Sequence, residues 1–557
     1  MVRTMCADVG TPAALLEDWA LAGEARMTEE DVHAPGGERQ PWRIAALFVL
    51  PYFMLGIAWL GSNPAGAAPD ENDHLVKALG IARLDIGVDR RRGNLMERNA
   101  SVTTRFVRIP SKLSPSGLTC FKGRTQVTAA CQPHSPPTDV GDVFAPTTVG
   151  GYPPFMYLPM GLAAEAADTP VRAIAAARGI ALVEAILLLW LACAHLVRWL
   201  GRRALAGVVV ALTPMGVFCM AIVGTSGLEI FGALGVVSVV VVASRHPESL
   251  KAWRTHMTLL ISGTTLVLSR QFGVVTMGAL LILLLAVGGW RPVWEQFRRP
   301  RPLFMATVAA LGTSALAVAL WERKFDNPGT VGPWVSFDAL AGFLRYLPYL
   351  VYESIGWFGW LDTPMPMWSA LTWVILLLVC MYLAFIHGGH GDRWVLAVTL
   401  TVMISVVFVT HAMLFFPFSG GVQARHMLPL LVFGPVFAGV VLTDRRGKKG
   451  LVGMFTLAAI LIPAIQFLGL YFNARRYAVG ESKQPLIFFS NAQWEPVFGW
   501  YPWLVIGLLG CVLLASILIA FGRTAKSSEQ ELPAFGSRIA QGAVSSAVAR
   551  LDSIPFN

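Results

Sequence analysis

Runs of about twenty apolar residues, each long enough to cross roughly 30 Å of hydrocarbon as a helix, recur along this chain and constrain what it can become. They fall near 44–61, 173–197, 204–223, 228–244, 256–269, 272–289, 303–321, 368–386, 394–413, 427–443, 451–472 and 501–522. The runs are continuous rather than alternating, which excludes barrel strands and leaves helices. Charged residues make up only 14% of the 557, against 55% hydrophobic, too little polar surface to coat a soluble globule of this size. The expectation is an all-α polytopic membrane protein with about twelve transmembrane helices. The first run follows a polar tail, is too long for the apolar segment of a signal peptide and lacks a small-residue cleavage site, so it reads as an anchored span.

Lys and Arg set the expected orientation. The segments at 198–203, 245–254, 290–302 and 444–450 are basic, whereas connections such as GTSG at 224–227 are neutral. Basic short connections face the cytoplasm, which places both termini inside a bacterial plasma membrane and the long connections outside. The net charge of +10 is then a topology signal, and no nucleic-acid partner is needed to explain it. Arg90-Arg91-Arg92 falls in the long segment after the first span, and loops of that length translocate largely regardless of charge. The expected organisation is a cytoplasmic tail at 1–42, a transmembrane domain at 43–522 with a large external loop at 62–170 and further external loops at 322–367 and 473–500, and a cytoplasmic tail at 523–557. A chain that invests its extra-membrane residues on one face works on that face.

Of the seven cysteines, Cys193, Cys219, Cys380 and Cys511 lie in apolar runs, where a thiol behaves as a small hydrophobe, and Cys6 lies in the N-terminal tail. Cys120 and Cys131 share the external loop and are expected to pair, because a loop with little core gains from a staple. A Zn site from those two and His134 falls short of the usual four ligands, so no metal is assigned, and dependence on a divalent ion stays open.

The candidate chemistry begins where the first span ends, in PAGAAPDENDHLVKALG at 64–80. After Pro69, positions 70, 73, 74 and 77 follow helical spacing, which puts Asp70, Asp73, His74 and Lys77 on one face with Glu71 about 100° round. Acids in a first helical turn are also ordinary dipole complements. The same membrane face collects Arg270 and Gln271 from SRQFG, and Gln423, Arg425 and His426 from GVQARHMLPLL. Either Arg alone reads as a side chain snorkelling to the interface; two cationic sites converging on a carboxylate cluster read as a crevice for an anionic, membrane-borne substrate. Glu353 and Asp362 from YESIGWFGWLDTPMP, and Tyr152 from GYPPFMYLPMG, complete the candidate substrate-binding set. Glu184 is the acid in mid-span, a functional hypothesis by default that a helix–helix hydrogen bond would also explain.

In this order, PDENDHLVKALGIARLDIG, GYPPFMYLP, LTPMGVFCMAIVGTSGLE, SRQFG, ESIGWFGWLDTPMP and GVQARHMLPLL resemble the bacterial membrane proteins of domain-of-unknown-function family 2142, over roughly residues 44–520. That family is similar to a branch of the GT-C glycosyltransferases, whose first external loop carries an acidic pair, like Asp70-Glu71 here, and whose sugars are linked to polyprenyl phosphate. The resemblance implies a GT-C-like fold. One departure is Thr225-Ser226-Gly227, where the family pattern has Asn-Pro-Asp.

The expected reaction is transfer of a sugar from a polyprenyl-phosphate donor, the co-substrate, to a glycan, lipid or protein acceptor in the cell envelope. An acceptor hydroxyl needs a carboxylate to take its proton as the bond forms. Asp70 is assigned that part and Glu71 the part of second carboxylate or orienting partner. Arg270 and Arg425, with Lys77 or His426, suit the departing lipid phosphate. The alternative is a transporter or flippase without covalent chemistry, which would place ionisable groups near mid-membrane; here the spans read as almost uncharged apart from Glu184. Ligation of a whole lipid-linked glycan shares the same crevice.

Overall fold

The computed structural model describes residues 40–85, 90–94, 101–135, 137–288, 290–298, 301–325, 336–418, 422–445, 448–481 and 486–522. The expectations placed on the two tails concern residues almost wholly outside that set. The described chain is a helical bundle with a folded loop layer at one end. It begins with α1 (Gln40–Ser62), α2 (Glu71–Ala82), β1 (Arg90–Asn94), β2 (Ser101–Pro110) and β3 (Asp142–Thr147). Next come α3 (Leu158–Glu165), α4 (Pro170–Leu200), α5 (Leu205–Ala211), α6 (Pro214–Cys219), α7 (Ser226–Arg245) and α8 (Trp253–Ser269). Beyond them lie α9 (Gln271–Gly288), α10 (Trp290–Arg298), α11 (Pro302–Phe325) and α12 (Phe337–Gly356), then a hairpin of β4 (Trp357–Phe358) and β5 (Thr363–Pro364). The bundle closes with α13 (Met367–His387), α14 (His390–Phe418), α15 (Leu428–Leu431), α16 (Phe433–Arg445), α17 (Lys448–Val479) and α18 (Trp500–Gly522).

The all-α polytopic architecture is as the apolar runs dictate, but the number of crossings differs. Among the described residues, 8 helices are long and apolar enough to cross a membrane, or 9 if Gln271–Val287 and Arg291–Arg298 are one broken span. The run at 204–223 shows why. Pro214 supplies no N–H and opens α6, with the Thr213 hydroxyl accepting from Gly216 N–H at 3.2 Å, so α5 stops short of it. The exposed polar groups find partners inside the protein: Gln466 donates to Leu212 O at 2.7 Å and Thr213 donates to Ser354 O at 2.7 Å. Irregular backbone at membrane depth survives only under such cover. The run at 427–443 is likewise divided between α15 and α16, and α8 has only 17 residues.

Helix α7 is the axis of the bundle: its apolar window is 100% buried, against 17% for α11 at the periphery. At its far end Arg245 lies 2.7 Å from Asp392 and 3.0 Å from Asp444, joining α7 to the ends of α14 and α16.

The first loop is a layer with its own packing. The three-stranded antiparallel sheet, in order β1-β2-β3, turns Val107 and Ile109 inward and pairs Val107 with Ala145. Helix α3 crosses α2 so closely that a Cβ on Gly161 would lie 2.0 Å from Ala78 O, and glycine is what lets the two backbones meet. Cys120 and Cys131 form a disulfide with Cα atoms 6.0 Å apart. Arg476 of α17 donates to Val127 O at 2.8 Å and Arg124 O at 2.9 Å inside that bridge, fixing it to the bundle. Reduction is expected to destabilise this loop by about 2–3 kcal/mol through loop-closure entropy. Labelling of denatured, unreduced protein should leave both thiols unreacted; modification of either one would contradict the bridge.

Candidate functional site

Three loop elements bring the site together over the end of α7. Asp70 caps α2 from the left-handed region, at φ 59°, and His74 N–H donates to its backbone carbonyl at 2.9 Å. Asp tolerates that conformation better than most residues, though it is uncommon outside glycine. Arg425 Nη2 meets Asp70 Oδ2 at 3.0 Å, with side chains 6% and 34% exposed respectively. Arg425 also donates to Pro69 O at 3.4 Å and, through Nε, to His426 Nε2 at 3.3 Å. The His426 ring stacks on Phe272, with centroids 6.1 Å apart.

Burial alone would raise the Asp70 carboxyl, but Arg425 foremost, then His74 and Lys122, hold it below its ordinary value of 3.8. His74 is pushed down to about 3 by burial, opposed by Asp70, so its imidazole is neutral at physiological pH. Burial and the neighbouring Arg270 and Arg425 likewise depress His426. With neither imidazole charged at physiological pH, the positive charge beside Asp70 comes from Arg425 foremost and Lys122.

Arg270 sits at the α8–α9 junction. It donates through Nη2 to the Tyr152 hydroxyl at 2.6 Å, lies 4.5 Å above the Tyr152 ring and is 3.8 Å from Glu229 Oε2. His74 packs beside them, with Nδ1 2.7 Å from the Tyr157 hydroxyl and its ring 5.9 Å from that of Tyr152. Arg270 Nε, Glu229 Oε2 and His426 Nδ1 are buried without a hydrogen-bond partner in the protein.

The remaining candidates support this centre instead of joining it. Glu71 is fully buried and clamped by Arg178, Nε to Oε1 at 2.7 Å and Nη2 to Oε2 at 2.6 Å; it also accepts from Gly66 N–H at 3.0 Å and Val223 N–H at 3.1 Å. With both oxygens engaged, it is placed to hold the Asp70 turn against α4 and the start of α7. Lys77 is buried, held down to about 7 by burial with Arg105 adding to the effect and Glu322 opposing it, and donates to the carbonyls of Gly150 and Tyr152. It thereby fixes the turn carrying Tyr152. Glu353 accepts from Ala424 N–H at 3.1 Å and from the Tyr346 hydroxyl at 2.7 Å, anchoring the short turn that presents Arg425. Asp362 accepts from Gly123 N–H at 3.2 Å and Trp360 N–H at 3.0 Å. Gln423 opens the Arg425 turn with Oε1 buried and unpartnered, and Gln271 is half-buried at the start of α9.

Reading the spans as almost uncharged apart from Glu184 is corrected by Arg178 in α4 and Glu229 in the first turn of α7, both buried. Both were legible as ionisable residues inside apolar runs, which require a partner. Glu184 lies elsewhere, among Trp42, Leu187, Leu191 and Ile261 around an apolar cavity of about 630 Å³.

The model of the family described as "Predicted membrane protein (DUF2142)" matches residues 53–434. No curated protein matches the sequence. Among solved structures, ArnT from Cupriavidus metallidurans bound to undecaprenyl phosphate is similar at 14% identity, over 89% of this chain and 79% of that one, with a TM-score of 0.43. The same protein in its apo state is similar at 14% identity, over 86% and 76% of the two chains, with a TM-score of 0.41.

Proposed function

The chain belongs to the DUF2142 family of membrane proteins, and from the site that it builds we propose a membrane-embedded glycosyltransferase of the GT-C kind, which moves a sugar from a polyprenyl-phosphate donor to a cell-envelope acceptor. The observation that carries this reading is the pair of Asp70, partly exposed, and Arg425, buried behind it, with Arg270 beyond. A base for an incoming hydroxyl lies in front of cations suited to a departing phosphate.

In this reaction the acceptor oxygen bonds to the anomeric carbon as the bond from that carbon to the phosphate oxygen breaks. The hydroxyl proton passes to Asp70, and the lipid phosphate leaves with the added negative charge, which Arg425 and Arg270 stabilise in a partly dehydrated site. Arg425 has two claims on it. While it pairs with Asp70 the carboxylate is ionised but weakly basic; when a donor phosphate draws the guanidinium away, Asp70 becomes a stronger base. Donor binding thus prepares the base. The working face is the loop-bearing one, and the basic short connections at the opposite end support placing it outside. Glu71 and Lys77 act as positioning groups and Glu353 as the anchor of the Arg425 turn.

The test is release of lipid phosphate by purified protein supplied with a panel of polyprenyl-phosphate sugars and envelope acceptors. Arg425→Lys separates this reading from snorkelling. A planar fork that binds phosphate in two places is not replaced by an ammonium, so Arg425→Lys should already impair transfer, and Arg425→Ala should weaken donor binding by more than the ~1 kcal/mol of an exposed ion pair. An interfacial anchor would tolerate lysine; wild-type kinetics in both Arg425→Lys and Arg270→Lys would remove the phosphate site.

A further inference from the structure

Near Asp70, the disulfide loop and the β4–β5 hairpin meet, Gly123 N–H of the loop donating to Asp362 of the hairpin at 3.2 Å. The Lys122 ammonium lies 3.6 Å above the centre of the Trp360 ring. A single carboxylate sets both residues: Asp362 accepts Trp360 N–H through Oδ1 and Gly123 N–H, next to Lys122, through Oδ2. The indole is locked in turn, with Nε1–H donating to Gly66 O at 3.0 Å, four residues before Asp70. The hairpin that presents it turns through Leu361 at φ 58°, a left-handed conformation that disfavours leucine by about 1–2 kcal/mol. Such strain persists where surrounding contacts impose it and is concentrated at functional positions. Trp360 is half-buried and Lys122 is exposed, so the long lysine side chain can leave the ring face without disturbing anything packed beneath.

We propose that Trp360 and Lys122 form a saccharide subsite beside Asp70, in which one C–H face of a pyranose ring lies on the indole and the Lys122 ammonium, displaced from the ring, donates hydrogen bonds to the sugar's hydroxyls. The proposal rests on the transferase reading for its use and names what that site takes on its aqueous side. The physical basis is the complementarity of a rigid aromatic face, which offers a large apolar area at little entropic loss, with a nearby cation whose charge already reaches Asp70. The ring belongs either to the donor's sugar or to the acceptor's.

Saturation-transfer NMR on the full chain in lipid nanodiscs, with methyl glycosides of glucose, galactose, mannose and N-acetylglucosamine as probes, tests it without turnover. At least one probe should show saturation concentrated on the protons of one ring face. That signal should fall more than about tenfold in Trp360→Ala and survive in part in Trp360→Phe. Lys122→Ala, which leaves the fold intact because the side chain is exposed, should weaken it about three- to tenfold, the worth of one or two hydrogen bonds. Adding a polyprenyl-phosphate glucose separates the two sources: displacement of the probe assigns the subsite to the donor's sugar, persistence to the acceptor's. Silence for all four probes, or wild-type signals in both Trp360→Ala and Lys122→Ala, overturns the subsite. Because transfer is not measured, such a failure leaves the role of Asp70 standing, and a protein that binds sugar without transferring it overturns the reaction alone.

Discussion

Asp70→Asn is expected to lower sugar transfer by roughly 10²–10⁴-fold while leaving donor affinity undiminished. Affinity should hold because Asp70 competes with the donor phosphate for Arg425, so a neutral amide releases the guanidinium. A helix-start residue at this position would give near-normal transfer in the variant. The pH profile adds an independent readout. Arg425, with His74 and Lys122, holds the Asp70 carboxyl below 3.8 despite its burial. With the folded value below the unfolded one, the pair's contribution to stability is complete above about pH 4 and is lost as the pH falls through the folded value. The base is active when ionised, so the acid limb of kcat/KM, which reports the free protein, should lie below 3.8. In kcat the limb should move upward, since the bound phosphate has taken Arg425. An acid limb in the same place in both profiles would contradict the exchange of partners.

Glu71→Gln is expected to act on folding rather than on chemistry. It leaves the Arg178 guanidinium buried without a countercharge, and breaking such a pair from one side destabilises by about 3–5 kcal/mol. The loss is large because Glu71 also accepts from Gly66 and Val223 while Arg178 donates to Asn63 O at 2.6 Å and Pro64 O at 2.8 Å. Arg178→Met should be comparably damaging. Thermal unfolding in detergent, compared with the wild-type protein, checks both. A Glu71→Gln protein of wild-type stability that has lost turnover would move Glu71 from scaffold to catalyst.

Glu71 and Asp70 illustrate where the sequence stops being legible. Adjacent carboxylates at a membrane exit are chemically alike on paper, and helical spacing separates them by only about 100°. Their parts diverge because Asp70 adopts a left-handed cap and turns toward Arg425, whereas Glu71 enters α2 and faces Arg178. The partners are 355 and 107 residues away, separations at which no local pattern assigns a pairing. Lys77, Glu353 and Asp362 were visible as polar groups on the right face, yet each acts on a backbone turn, which composition does not disclose. Arg178 and Glu229 could have been found from the sequence by the rule that an ionisable residue in an apolar run needs a partner.

The sequence by itself determined the membrane class, the helices and the concentration of polar residues on one face, because apolar length against a hydrocarbon thickness is a local property of the chain. It also marked Asp70, Arg270 and Arg425 as residues of one face, and Cys120 and Cys131 as partners. Only the tertiary structure decided which apolar runs stay unbroken, since the Leu212 carbonyl freed where the run is interrupted at Pro214 is satisfied by Gln466 from another helix. It alone decided that one carboxylate of the acidic pair stays partly exposed beside Arg425 while the other is sealed against a buried Arg178, because the environment of an ionisable group is set by the elements folded around it and not by its neighbours in sequence.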